Sequence, residues 1–136
     1  MPITSLYAAI LAMLFVVLAI RVISVRRSAR VALGDGGEAQ LLRRIRVHGN
    51  FAEYAPLAII LVGLAESLRT PALVLHGLGI ILVVGRIVHA AGVSQPKENL
   101  ALRVAGMSMT FAAIIIGGLT CLVGAVLLGV RGGLAA

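Results

Sequence analysis

Four long apolar runs, separated by short polar connections, leave this chain few folds to choose from. The first covers about residues 3–23 and is interrupted only by Arg21. The second covers about 51–65, the third 71–88 and the fourth about 104–130. A helix needs roughly 20 residues to cross a bilayer, within a range of about 17–25. The second run is short by itself. It reaches that length only if its helix continues upstream through Arg46, which carries polar residues into the membrane or to its edge. Composition points the same way. The chain is 60% hydrophobic and 12% charged over 136 residues, where a soluble domain is about half apolar and about a quarter charged. So much apolar surface cannot be hidden inside so short a chain, and the bilayer must solvate it. The expectation is an all-α, integral membrane four-helix bundle. It forms a single domain with spans at about 3–25, 40–66, 71–92 and 101–130.

The net charge of +7 does not point to nucleic acid. Seven basic residues (Arg21, Arg26, Arg27, Arg30, Arg43, Arg44 and Arg46) fall in one interval between two apolar runs. Cytoplasmic loops collect Lys and Arg in this way. The bias predicts an N-terminus outside and the 24–46 loop in the cytoplasm. The first run lacks the basic leader of a cleaved signal peptide, because its positive charge follows it.

Local punctuation is consistent with four helices. Gly34-Asp35-Gly36-Gly37 reads as a turn, and Asp35 with Glu38 resembles a capping box opening the second helix. Thr70-Pro71 reads as an N-cap followed by Pro at the first helical position. Ser94-Gln95-Pro96 ends the third helix. Ala113, Gly117, Cys121, Ala125 and Gly129 recur every four residues, a spacing that lets helix backbones approach closely in lipid. Cys121 reads as a packed, inert thiol, His76 as a packing or interfacial residue, and Glu66 and Arg69 as solvated end residues.

The second helix carries the unusual feature. Measured from Arg46, Asn50 is four residues on, Glu53 seven and Tyr54 eight, so they lie along one helical face. Arg43 extends that face upstream, whereas His48 points about 200° away from Arg46 at 100° per residue. A charged side chain at mid-bilayer costs roughly 2.5–3.5 kcal/mol even on lenient scales. Glu53 is too short to snorkel easily and needs partners or a wet cavity. Two readings follow from the residues alone. One is an internal Arg–Glu–Asn network that fixes helix packing. The other is a pocket for a zwitterionic ligand, which needs both cationic and anionic partners. Pro56 would free the carbonyl of Ala52, adding a kink and an acceptor.

A second polar cluster surrounds the third connection. Arg86 and His89 are three residues apart and share a face, and Arg103 opens the fourth helix. As residues alone, they read first as a basic anchor at the cytoplasmic boundary. No zinc motif, nucleophile elbow or phosphate-binding glycine loop is present.

The run Arg46-Val47-His48-Gly49-Asn50-Phe51-Ala52-Glu53-Tyr54-Ala55-Pro56 resembles the signature of the MAPEG family, the membrane-associated proteins in eicosanoid and glutathione metabolism. Val22-Ile23-Ser24-Val25-Arg26-Arg27 is similar to the end of that family's first helix. Leu102-Arg103-Val104-Ala105-Gly106-Met107 is similar to the start of its fourth, in the bacterial branch. The resemblance covers nearly the whole chain in order and spacing. It implies a bacterial inner-membrane protein whose protomers form a homotrimer and bind glutathione between them. Arg46, Asn50, Glu53 and Tyr54 would hold the tripeptide's carboxylates and amine. Arg26, His48, Arg86 and His89 would complete the glutathione site, His48 standing where relatives place Gln. Arg103 matches the arginine thought to stabilise the glutathione thiolate and is the catalytic candidate. No metal is implied. Leukotriene-forming animal relatives carry tyrosines on the third helix where this chain has His89 and Val93. That departure favours a general glutathione transferase or peroxidase over an eicosanoid synthase.

The implied chemistry is simple. A free thiol has a pKa near 8.5, and an adjacent Arg favours the anion. The thiolate then attacks a hydrophobic electrophile or a lipid hydroperoxide delivered from the bilayer. Two alternatives stand beside this reading. One is a non-catalytic, lipid-binding relative with the same fold. The other is a small proton-coupled exporter built around Glu53, although such a carrier has no need of Arg46 and Asn50 on the same face.

Overall fold

The computed structural model describes residues 1–133, with side chains described through Val130. They form α1 (Pro2–Ser28), α2 (Ala39–Ser67), α3 (Ala72–Ser94) and α4 (Leu100–Gly133), with no strand among the described residues. All four helices are long and apolar enough to cross a membrane. The chain is an all-α, four-helix membrane protein. The second helix does continue upstream of its apolar run, so Arg43, Arg44 and Arg46 lie on α2 itself.

Helix α2 packs against the other three, whereas α1 and α4 do not meet. The closest pair is α3 and α4, and glycine is the reason. A Cβ on Gly92 would lie 2.7 Å from the Arg103 amide nitrogen, and one on Gly85 would lie 3.0 Å from the Gly106 carbonyl oxygen. A Cβ on Gly106 would collide with the His89 backbone. In lipid, helix association relies on such close packing because the hydrocarbon tails are as apolar as the side chains. The Thr110 hydroxyl, fully buried in the same seam, donates to the Gly106 carbonyl at 2.8 Å.

The stripe of small residues on α4 divides. Ala113 is buried, Gly117 faces Leu61, and the Cys121 thiol donates to the Leu61 carbonyl at 3.3 Å. Gly117 and Cys121 pack on α2, and Ala113 joins the central core. Ala125 and Gly129 are exposed, and Gly124 meets Leu68 in their place. The packing face has rotated by one residue along the helix. Gly79 similarly receives the ring of Tyr7, whose hydroxyl shares a 2.9 Å hydrogen bond with His76 Nδ1. His76 is thus a hydrogen-bonded packing residue.

Three local expectations need correction. Asp35 does not open a capping box: its Oδ1 accepts from the Gly37 amide at 3.0 Å in a turn closed on itself. Gly34, Gly36 and Gly37 supply the positive φ angles of that turn. Helix α2 begins after Glu38, with no side-chain cap bond. Thr70 does not cap α3 either, because Pro71 occupies the N-cap position and α3 starts at Ala72. Glu66 is not a solvated end residue. Its carboxylate accepts from the Ile3 amide at 3.1 Å and from the amide and hydroxyl of Thr4. It caps α1 from the far end of α2, satisfying amides that a helix leaves unpaired in its first turn.

Candidate functional site

One end of the bundle collects the C-terminal end of α1, the start of α2, the end of α3 and the start of α4. A cavity of about 210 Å³ opens there, lined by Leu42, Arg43, Arg46, Asn50, His89, Val93, Glu98 and Arg103. Helix α2 supplies four of these at helical spacing. His89 and Val93 lie four apart on α3, so they present one face. The Gly85, Gly92 and Gly106 contacts bring α4 against that face and hold Arg103 beside it.

Three guanidinium groups face this cavity, and Glu98 is the carboxylate among them. Glu98 pairs with Arg103 at 2.8 Å, the one ion pair within 4.0 Å among the described residues. Both partners remain accessible, with side chains 51% and 38% exposed. The site therefore favours an anionic ligand with room for one cationic group beside Glu98. Glu98 escaped the sequence reading as a site residue because it lies on a loop, where no periodicity assigns a face. Its position five residues before Arg103 was the available signal.

Asn50 is fixed from below. Arg86, 1% exposed, donates from Nη2 to Asn50 Oδ1 at 3.0 Å and from Nη1 to the Asn50 carbonyl at 3.3 Å. Its guanidinium carbon lies 6.0 Å from the centre of the Phe51 ring. Arg86 is absent from the cavity lining and reaches the site only through Asn50.

The other candidate residues sit elsewhere on the protomer. Tyr54 is half-buried one turn beyond Asn50 and meets Phe111 edge to face, ring centres 5.5 Å apart. Glu53 is exposed on the outer surface of α2, with no hydrogen-bonding or ionic partner among the described residues. His48 stacks on Phe15 of α1 at 4.5 Å, in keeping with its rotation away from Arg46. Arg26 donates from Nη1 to the carbonyls of Val31 and Gly34, which ties down the connection after α1.

A second, apolar groove of about 310 Å³ runs between α1 and α2, bordered by residues such as Leu11, Phe15, Ala52 and Pro56. It lies around Pro56, the proline that interrupts the α2 hydrogen-bond ladder. Among the described residues no group of three or more His, Cys, Asp or Glu could hold a metal ion.

Comparison with known proteins agrees with this architecture. The family model described as "MAPEG family" matches residues 4–123. The chain is 36% identical over 114 residues to the "Inner membrane protein YecN" of Escherichia coli strain K12, covering 84% of this chain and 86% of that protein. The protein of the same name in Escherichia coli O6:H1 matches to the same extent.

Proposed function

Because the chain belongs to the MAPEG family, we propose that it is a membrane-bound glutathione transferase, with peroxidase chemistry at the same site. The observation that carries this reading is the meeting of Arg43, Arg46, Asn50 and Arg103 around one cavity at the end of membrane-spanning helices. Glutathione has two carboxylates, an amine and a thiol. The arginines suit the carboxylates, and Glu98 or Glu53 suits the amine. A cavity of about 210 Å³ is smaller than the roughly 300–1,000 Å³ usual for ligand sites. Glu53, unpartnered on the outside of a membrane helix, also requires a covering group. Both facts support a homotrimer in which a neighbouring protomer completes the site. His48 and Arg26 would be contributed across that boundary. Arg86 would act as a positioning residue for Asn50.

Arg103 is the catalytic group in this proposal. The thiol releases its proton to water, and the guanidinium stabilises the sulfur anion. For an aryl halide, sulfur forms a bond to the ring carbon as the halide leaves. For a lipid hydroperoxide, sulfur attacks the distal oxygen, the O–O bond breaks and the lipid alcohol leaves as its alkoxide takes up a proton; a second glutathione thiol then attacks the sulfenic acid so formed, giving the disulfide and water. The excess of basic residues around the site favours the cytoplasmic side of an inner membrane. The Escherichia coli relative is likewise named an inner membrane protein.

The test has two stages. Glutathione titrated calorimetrically into detergent-solubilised protein should bind at millimolar concentration, and the protein should conjugate it to a model aryl halide. Arg103→Ala should then depress turnover far more than binding. Absence of binding would remove the proposal, and full turnover in Arg103→Ala would remove the thiolate role. Binding without turnover across several electrophiles would favour a non-catalytic member of the family.

A further inference from the structure

Another cavity borders the polar one at Arg43. It is lined by Gln40, Arg43, Arg44, Ser94 and Pro96 and has a volume of about 330 Å³. Arg43 lines both cavities. Two polar atoms of this second lining are buried with no hydrogen-bond partner: Arg44 Nη1 and Ser94 Oγ. A buried donor without an acceptor costs about 1–3 kcal/mol, and more when charged. Two such donors around one space mark the place of an absent acceptor.

The charge around them says what the acceptor is. Arg21 and Arg43 are the charges that act on Arg44, and both are positive. Of the acidic residues at this end of the bundle, Glu98 is paired with Arg103, Asp35 closes its own turn, and Glu38, the exposed N-cap residue of α2, does not line the cavity. Gln40 sits in the first turn of α2, which has no acidic residue and no side-chain cap, so that its amides also favour an anion. The lining includes the last residue of α3 and the second residue of α2, both at the ends of membrane-spanning helices. This is the depth at which headgroup phosphates lie, on the face where anionic lipids gather around basic residues.

We propose that the space between the start of α2 and the end of α3 is a binding site for the phosphate of an anionic phospholipid headgroup, held by Arg44, Arg43 and Ser94. The phosphate accepts from both guanidinium groups and from the serine hydroxyl. The acyl chains lie along the exposed apolar flank of the helices. Arg43 is shared with the neighbouring cavity, whereas Arg44 and Ser94 line this one alone.

The experiment is lipid retention by the full-length protein, read by native mass spectrometry after exchange into mixed micelles of phosphatidylglycerol and phosphatidylcholine. Wild-type protein should retain phosphatidylglycerol at least tenfold over phosphatidylcholine. Arg44→Gln should lower that preference about tenfold, Ser94→Ala should lower it severalfold, and Arg44→Lys should restore part of it. Arg44→Gln removes an unpartnered buried charge, so folding should survive, and Ser94→Ala provides an independent variant. Arg27→Gln removes an exposed charge outside this cavity and should leave the preference intact. Equal retention by wild type, Arg44→Gln and Ser94→Ala would overturn the site. An equal loss in Arg27→Gln would replace it with diffuse attraction to basic residues. Inorganic phosphate displacing phosphatidylglycerol at equal concentration would overturn the lipid assignment in favour of a soluble anion.

Discussion

Arg86 grips Asn50 by both its side chain and its backbone, with Nη2 3.0 Å from Oδ1 and Nη1 3.3 Å from the carbonyl oxygen. A fork of this kind needs a planar guanidinium, because an ammonium offers one charged point rather than two parallel donors. Arg86→Lys should therefore not substitute. We expect a loss of about 1–3 kcal/mol in stability from the two broken buried hydrogen bonds, read as a lower melting temperature in detergent. Glutathione affinity should fall as well, because Asn50 is freed to rotate. An unchanged affinity in a folded Arg86→Lys protein would deny Arg86 its positioning role.

Three glycines of α4 predict an order of damage. Gly106→Ala sets a methyl group against the backbone of α3, where nothing can yield. Gly117→Ala meets the Leu61 side chain at 3.3 Å, and Gly129→Ala meets nothing within 4 Å. Overpacking typically costs about 1–3 kcal/mol. Gly106→Ala should lie at or beyond the upper end, Gly117→Ala near the lower end, and Gly129→Ala at zero. Thermal unfolding of the three variants checks the order.

The Glu66 cap on α1 gives a local prediction. Glu66→Ala removes the acceptor for the Ile3 and Thr4 amides, at a cost of about 0.5–2 kcal/mol typical of a lost N-cap. Hydrogen exchange should speed up in the first turn of α1 and stay unchanged in the α3–α4 seam. Uniform acceleration through all four helices would mean that Glu66 does more than cap.

Glu98 opposes Arg103 at 2.8 Å, so its charge works against a thiolate held there. Glu98→Gln should lower the apparent pKa of bound glutathione, and Arg103→Ala should raise it. The ultraviolet absorbance of the thiolate, followed against pH, reads both shifts. Movement in the same direction in the two variants would exclude Arg103 as the group that stabilises sulfur.

Glu53 separates the transferase from the exporter. Glu53→Gln should weaken glutathione binding several-fold and leave proton flux into vesicles at background. Proton-driven efflux that vanishes in Glu53→Gln and ignores glutathione would reverse the assignment.

The parts of this molecule that a reader of the sequence can see are those written on a single helix. The apolar runs are legible because a helix in lipid must satisfy its own backbone. Arg46 and Asn50 line one cavity because a single α-helix determines their relative direction. Information that depends on a second element is hidden. Glu66 reaches residues more than 60 positions away, and no local pattern announces a cap of that kind. Gly85, Gly92 and Gly106 look like ordinary membrane-helix glycines until the opposing backbone is known, while the regular α4 stripe drew notice although only part of it packs on α2. Glu53 shows the same limit: its helix was readable, yet its exposed carboxylate lies outside the cavity that Arg46 and Asn50 line.

The contact pattern of the four helices also sets the mechanics of the bundle. Helices α3 and α4 touch backbone to backbone, whereas α1 does not reach α4 and borders α2 across an apolar groove. Helices α3 and α4 therefore act as one plate, and the polar cavity takes His89, Val93 and Arg103 from it and nothing from α1. A disturbance at α1 reaches that cavity only by way of α2 or α3.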